Sequence, residues 1–302
     1  MRNAAGKPTA LSPIYLRQPQ YRRTADFKFE LELLVVIYFL PLAHHQPKLG
    51  EELPGTLSFI IAKMKPKRPS YEFLRFQQAI SPRRLEAYRS SPSDKELDLL
   101  STYLWNIGLC EAFYPVLHSF EVALRNSLHQ AISRLFYEDW LDKIDSRILS
   151  PEEIRSVQAA IESLNRKGQS ISTGSLISEL NLGFWVSLSY AKYEGKDKLY
   201  PRLFRDEGFL PHLPRSRRTR STLSGTFTSI KKLRNEIFHH DPIWNKSHLK
   251  KEYDNALEAI QWISPILCET TKHLSRFPDV YAQGRTIYVK TLQVIMLGDE
   301  KN

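Results

Sequence analysis

The sequence LHSFEVALRNSLHQAISRL, residues 117–135, decides the fold class of this chain. Apolar side chains recur in it every three or four residues, which places them on one face of an α-helix. The pattern extends over 94–137, where Pro115 should break or kink the helix into two because proline removes a backbone donor and clashes with the preceding turn. The apolar positions are Leu117, Phe120, Leu124, Leu128, Ala131 and Leu135.

Further helices are predicted from their start and stop signals. Serine followed by proline, at Ser81 and Ser150, is a common start, and Glu153 completes a capping box at the second. Strand-like alternation is scarce, so the sequence predicts an all-α helical bundle. The predicted helices lie at 82–89, at 151–167 with Gly168 as its C-terminal cap, and at 173–190 with an interruption near Gly183. A further helix follows the basic run at 215–220 and ends near His240, and a last helix at 247–276 is bent at Pro265. Residues 195–214 are predicted as a loop with short turns.

The chain is predicted to have three parts. Residues 1–68 contain scattered prolines and a basic start, and we expect them to be an irregular extension appended to the domain. Met64 would serve as a natural beginning of the compact protein. Residues 69–276 are predicted as the helical domain, and residues 277–302 as a C-terminal tail.

Composition narrows the class of protein. The net charge of +10 and the pI near 9.4 favour nucleic acid or an anionic membrane as a partner. The most apolar run, 31–43, is shorter than the roughly 20 residues of a membrane span, so we expect no membrane anchor and a cytoplasmic location.

Cys110 and Cys268 lie in apolar patterns without metal-ligand spacing, so no zinc site, disulfide or cofactor is expected. Sequence motifs of other enzyme classes, such as a P-loop, GxSxG or HExxH, do not occur.

The segment RNEIFHHDPIW, residues 234–244, concentrates chemically useful side chains at a predicted helix end. Arg234 offers a planar fork for phosphate oxygens, and Asn235 can orient a neighbour or bind a hydroxyl. A histidine at a helix C-terminus, such as His239 or His240, suits a proton donor or a phosphate contact. These are the groups that metal-independent RNA cleavage needs. On one helix, however, Arg234 and His239 would be about 140° apart, so they meet only if the helix distorts or a second chain completes the site.

A second polar stripe lies in the helix that decides the fold. Glu121, Arg125 and His129 recur every four residues, with Asn126 beside them and His118 extending the line. The stripe is either an ordinary ion pair on a solvated surface or a support that orients the Arg234 motif and adds a phosphate contact. The basic run at Arg215, Arg217, Arg218 and Arg220 is likewise either an RNA-backbone contact or a solvated surface.

Several of these segments resemble the bacterial Abi-like (abortive infection) family, which belongs to the HEPN superfamily with its Arg-x(4–6)-His signature. The resemblance covers roughly 71–271 and rests on residues 234–244 together with ISPRRLEAY (80–88), YLWN (103–106), FEVALRN (120–126) and GFW (183–185).

The resemblance implies a HEPN-like helical bundle with ribonuclease activity, used in phage defence or as a toxin that cleaves RNA. It also implies a homodimer whose site combines Arg and His from two protomers, and an antitoxin protein or a small RNA as further partners. By this resemblance Arg234 and His239 are catalytic, Asn235 assists them, and His240 is a second-line candidate. The alternative is a non-catalytic helical module that binds RNA or a partner protein through the same residues. A membrane-associated protease, suggested only by the shared family name, lacks the motifs it would need.

Overall fold

The computed structural model describes residues 71–195, 198–205 and 208–297. Within these residues the chain is all-α, with twelve α-helices and no strand, as predicted. The helices are α1 (Tyr71–Ile80), α2 (Pro82–Glu86), α3 (Glu96–Leu135), α4 (Pro151–Arg166), α5 (Thr173–Glu179), α6 (Leu182–Ser187), α7 (Leu199–Leu203), α8 (Arg220–Phe238), α9 (Leu249–Ile263), α10 (Pro265–Leu274), α11 (Phe277–Gln283) and α12 (Thr286–Leu297).

Helix α3 is the central element, and it is continuous over 40 residues. The predicted break at Pro115 was wrong. Proline in a helix interior costs about 3 kcal/mol, but buried apolar side chains on both sides of Pro115, including Phe113 and Val116, fix the helix in the core. By length and composition alone α3 meets the criteria for a membrane span, which core helices also meet, and 50% of its most apolar window is buried within the protein.

The main core forms where α8, α9 and α6 meet α3. Helix α9 packs against α3, α8 and α10, while α6 packs between α3 and α8. Large aromatic side chains fill this core, and Trp185, Trp262 and Phe184 are all buried. Trp105 is partly buried and donates from its indole N–H to the Val280 carbonyl at 3.0 Å.

Residues 277–297 are not a tail, contrary to the predicted boundary. They form α11 and α12, which pack against α3. The Phe277 ring is 1% exposed and stacks on Tyr253, with 4.4 Å between the ring centroids. Short apolar segments after Arg276 carried too weak a periodicity to be recognised, so the helical domain was predicted to end too early.

Local signals fixed some boundaries correctly and others only in part. Gly168 has φ +65 and ends α4, as predicted. The predicted bend at Pro265 is a complete break, because extended Ser264 ends α9 and caps α10. The interruption predicted near Gly183 lies at Leu180–Asn181, where the Asn181 side chain caps α6. The predictions for residues 1–68, including the start at Met64, lie outside the described residues.

Candidate functional site

Helix α8 places Arg234 beside α3. One face of α8 is buried through Leu223, Phe227, Ile230, Leu233 and Ile237, at the three- and four-residue spacing of a core helix. Arg234 follows this buried face by one residue and is partly exposed, with 29% of its side chain accessible. Burial of the apolar face therefore fixes the direction in which Arg234 leaves the helix.

The end of α8 is a tight turn that carries both histidines. His239 caps the helix, and His240 adopts the left-handed conformation with φ 61, a conformation more often occupied by glycine. The Asp241 N–H donates to the Glu236 carbonyl at 2.8 Å, and the His240 N–H donates to the Ile237 carbonyl at 3.1 Å. This is a Schellman motif, which satisfies the last carbonyls of the helix.

Asn106 of α3 holds the chain that follows this turn. Its Oδ1 atom accepts the N–H groups of Ile243 at 2.7 Å and Trp244 at 3.1 Å. Asn106 is 3% exposed and Ile243 is fully buried, so the bond between them lies inside the protein, while the bond to Trp244 is partly buried. Buried backbone donors need such a partner because leaving them unpaired costs about 1–3 kcal/mol each.

The segment after α1 contacts the same turn. Arg84 donates through its guanidinium to the His240 carbonyl, and the indole N–H of Trp244 donates to the Ala87 carbonyl at 3.2 Å. Residues 80–88, 103–106 and 234–244, which are far apart in sequence, thus meet at the end of α8. The histidine-bearing turn is supported from two other elements.

A surface groove between α3 and α8 contains Arg234. Its polar and aromatic lining combines two pairs of planar side chains with a carboxylate and a further guanidinium, and its volume is about 200 Å³. Leu117 and Val122 add apolar surface. The planar pairs are Tyr114 with His118 and Arg234 with Phe238, the carboxylate is that of Glu121, and the further guanidinium is that of Arg125.

The Arg234 guanidinium is positioned by stacking and by charge. Its Cζ atom lies 4.3 Å from the centroid of the Phe238 ring, and its Nε atom lies 3.8 Å from Oε2 of Glu121. That separation is an ion pair but too long for a hydrogen bond. The Nε atom is buried without a hydrogen-bond partner. Across the described ranges, no protein group accepts a hydrogen bond from this guanidinium, so its terminal N–H groups can serve a ligand.

The polar stripe of α3 enters the groove only in part. Glu121, Arg125 and His118 line it, and the His118 ring stacks on Tyr114 with 5.7 Å between centroids. Asn126 is exposed and does not line the groove.

The structure places His129 elsewhere, against Trp140. The Trp140 indole N–H donates to Nδ1 of His129 at 3.1 Å. Burial lowers the pKa of His129, although Glu138 and Asp142 act in the opposite direction. His129 is thus a partly buried hydrogen-bond acceptor for Trp140 and does not line the groove, and the prediction that it supports the site is corrected.

The remaining motif residues lie near the groove but do not line it. Asn235 is partly buried on α8, while His239 and His240 are exposed at the helix end. The predicted angular separation of Arg234 and His239 thus persists in a single protomer, since the helix is regular up to Phe238.

The basic run before α8 is largely engaged within the protein. Arg217 pairs with Glu258 at 3.3 Å, Arg220 pairs with Glu194 at 2.8 Å, and the Arg218 side chain reaches the Leu213 carbonyl at 3.4 Å. Arg215 is exposed. These contacts weaken the RNA-backbone interpretation of the run, because two of its four arginines are already paired with carboxylates.

The charge excess is concentrated before the helical domain. The first 70 residues contain 11 Lys or Arg and 5 Asp or Glu, so they carry more than half of the net charge of +10. The argument for nucleic acid from overall charge therefore applies weakly to the helical domain, and the groove is the more specific feature.

Sequence reasoning missed Tyr114 and Phe238, the exposed aromatic residues of the groove. Tyr114 is 56% exposed and Phe238 is 47% exposed. Each lies one helical turn from a polar groove residue, Tyr114 before His118 and Phe238 after Arg234. That i,i+4 pairing of aromatic and polar planar side chains was the signal that could have identified them.

Comparison with known proteins adds no neighbour to this description. No protein-family model, no curated protein and no solved structure matches the chain. Within the described residues, no group of three or more His, Cys, Asp or Glu side chains is arranged to hold a metal ion.

Proposed function

We propose that this protein is a metal-independent endoribonuclease of the HEPN type, acting in phage defence or as a toxin. The observation that carries the proposal is the Arg234 guanidinium, which lines a groove with Arg125 and keeps its terminal donors free of protein partners in the described part of the chain. Two guanidiniums at one groove suit a phosphate group and the extra negative charge of its transition state.

The proposed reaction is attack of a ribose 2′-oxygen on the adjacent phosphorus. The new P–O bond forms as the bond to the 5′-oxygen of the next nucleotide breaks, leaving a 2′,3′-cyclic phosphate and a free 5′-hydroxyl. Arg234, with Arg125, stabilises the phosphorane, and Glu121 positions Arg234 through their 3.8 Å ion pair. His239 either accepts the proton of the 2′-hydroxyl or protonates the departing 5′-oxygen, and water exchanges the other proton. Asn235 orients the ribose hydroxyl.

A second protomer supplies His239 in this proposal. His239 of the same protomer lies at the exposed helix end rather than among the groove residues. A two-fold axis near the C-terminus of α8 would bring the partner's helix end to the groove, as the family resemblance implies. The Schellman turn and the Asn106 contacts would then hold each His239 in position for the other protomer.

The test is expression of the full chain in a bacterial host, followed by end-mapping of cellular RNA. Wild type should produce new 2′,3′-cyclic-phosphate ends, and Arg234→Ala and His239→Ala should each reduce them at least a hundredfold. His212→Ala is the matched control, because His212 is exposed and, among the described residues, only its backbone N–H forms a hydrogen bond, to the Trp262 carbonyl at 3.1 Å. Cleavage by purified protein should persist in EDTA, since no step uses a metal. Wild-type activity in His239→Ala would refute the catalytic assignment.

The second candidate is a module that binds RNA or a partner protein without cleaving it. The exposure of His239 away from the groove favours it if the protein is a monomer. It predicts no new RNA ends with wild type, but weaker capture of the bound RNA or antitoxin by Arg234→Ala.

A further inference from the structure

We infer that the α3–α8 groove binds a single nucleobase, guanine, next to the phosphate held by Arg234. The inference rests on the proposed function for its setting and adds to it the class of nucleotide that the site selects. Three observations carry it: the planar side chains of the groove, the Glu121 carboxylate that lines it with them, and the volume of the groove.

The planar side chains form two stacking surfaces. Tyr114 and His118 are one helical turn apart on α3, and their rings are stacked at 5.7 Å with 23° between the planes. Arg234 and Phe238 are one turn apart on α8 and are stacked at 4.3 Å. Unpaired bases bind between aromatic rings and guanidinium planes, because every base has a flat π-face. The exposed rings of Tyr114 and Phe238 can therefore stack on a base.

The Glu121 carboxylate, which lines the same groove, matches one edge of guanine. The Glu121 carboxylate only accepts hydrogen bonds, and no group in the described residues donates one to it. Guanine presents two adjacent donors, N1–H and the 2-amino group, which a carboxylate can accept in parallel. Adenine, cytosine and uracil each offer a carboxylate fewer adjacent donors on that edge.

The size and polarity of the groove suit a base better than a protein side chain from a second copy. A volume of about 200 Å³ is below the range of about 300–1,000 Å³ typical of drug-sized ligands, and fits one base rather than two. Burying Glu121, Arg125 and Arg234 under an apolar side chain would leave charged groups without partners, which is costly. A polar, planar ligand satisfies them.

The test is calorimetric titration of the full-length protein with the 3′-monophosphates of guanosine, adenosine, cytidine and uridine. The guanosine nucleotide should bind at least about tenfold more tightly than the other three, because a bidentate carboxylate pair discriminates by that order. Glu121→Gln should remove the preference, since an amide donates at one position where guanine also donates. Tyr114→Ala should weaken all four nucleotides. Glu162→Gln, an exposed glutamate on α4, is the matched control and should leave affinity unchanged.

The titration tests the guanine site independently of the ribonuclease proposal. Equal affinity for the four nucleotides, or an unchanged preference in Glu121→Gln, overturns the guanine site even if RNA is cleaved. A guanosine preference lost in Glu121→Gln supports the site even if no RNA end appears, in which case the ribonuclease proposal fails alone. A Tyr114→Ala variant that changes from dimer to monomer in sedimentation, with nucleotide affinity unaltered, would assign the groove to contact between copies and overturn the inference.

Discussion

At the residue scale, the Asn106 amide holds a turn that lies 137 residues further along the chain. Asn106→Leu should lower the free energy of unfolding by about 2–4 kcal/mol, because the buried N–H group of Ile243 and the partly buried N–H group of Trp244 lose their acceptor. Asn126→Leu is the matched control on the same helix, and as an exposed site it should change stability by no more than about 0.5 kcal/mol. Urea unfolding measures both, and equal effects of the two variants would contradict the role of Asn106.

His240 offers a change in the opposite direction. Its φ of 61 strains a side chain with a Cβ atom, so His240→Gly should raise the free energy of unfolding by about 1 kcal/mol. Gly168 ends α4 with φ +65, and no atom lies within 4 Å of the Cβ that a substitution would add there. Gly168→Ala should therefore lower stability by a similar amount. A fall in the denaturation midpoint of His240→Gly would instead show that the imidazole makes a stabilising contact.

Sequence spacing could predict which site residues share a face of one helix, but not which other elements lie against that face. Glu121, Arg125 and His118 share a face of α3 by their spacing, and the groove confirms that they lie near Arg234. His129 continues the same spacing, yet it bonds to Trp140, because the loop after α3 covers that end of the face. Spacing gives the face of a helix but not the element that covers it.

At the scale of elements, the sequence predicted which segments are helical better than it predicted where each helix ends. The apolar period of α3 and the caps at Ser81 and Gly168 identified helices correctly. Proline was ambiguous, since Pro115 lies inside a continuous helix while Pro265 begins a new one. The difference is tertiary, because the turns on both sides of Pro115 are buried, whereas Ser264 before Pro265 offers a side-chain cap.

A buried carboxylate joins α4 to α6 and to the turn that follows it, and it predicts acid sensitivity. Burial by itself would raise the pKa of Glu153, but hydrogen bonds from Ser150, Ser187, Lys192 and Tyr193 lower it from 4.5 to about 2. Because the pKa is lower in the folded state, the contribution of Glu153 is complete above pH 4.5 and is lost as the pH falls toward 2. The loss should be about 3 kcal/mol.

Unfolding of wild type and Glu153→Gln between pH 7 and pH 2 measures this contribution. The variant should be less stable at pH 7 and should lose less stability on acidification. Glu152→Gln is the neighbouring control, and because 70% of the Glu152 side chain is exposed, its pH dependence should follow wild type. Parallel pH curves for wild type and Glu153→Gln would contradict the prediction.

At the scale of the whole molecule, the proposed dimer makes a prediction that a monomer cannot meet. Arg234→Ala and His239→Ala proteins, each inactive, should recover cleavage when they are unfolded and refolded together. Half of the dimers would then be mixed, each with one intact site, so about a quarter of wild-type activity should return. Arg234→Ala refolded with the Arg234→Ala, His239→Ala double variant is the control and should stay inactive. Absence of recovery from mixed dimers would place His239 in the same protomer or outside the reaction.

The hydrogen bonds to Asn106 should also slow the local opening of the segment that follows α8. The amide protons of Ile243 and Trp244 belong to an irregular segment, where exchange with solvent water is ordinarily fast. Because both donate to Oδ1 of Asn106, we expect them to exchange as slowly as amides in the middle of α3, a result that hydrogen–deuterium exchange can establish. The segment that positions His239 would then open on the timescale of global unfolding rather than that of a surface loop.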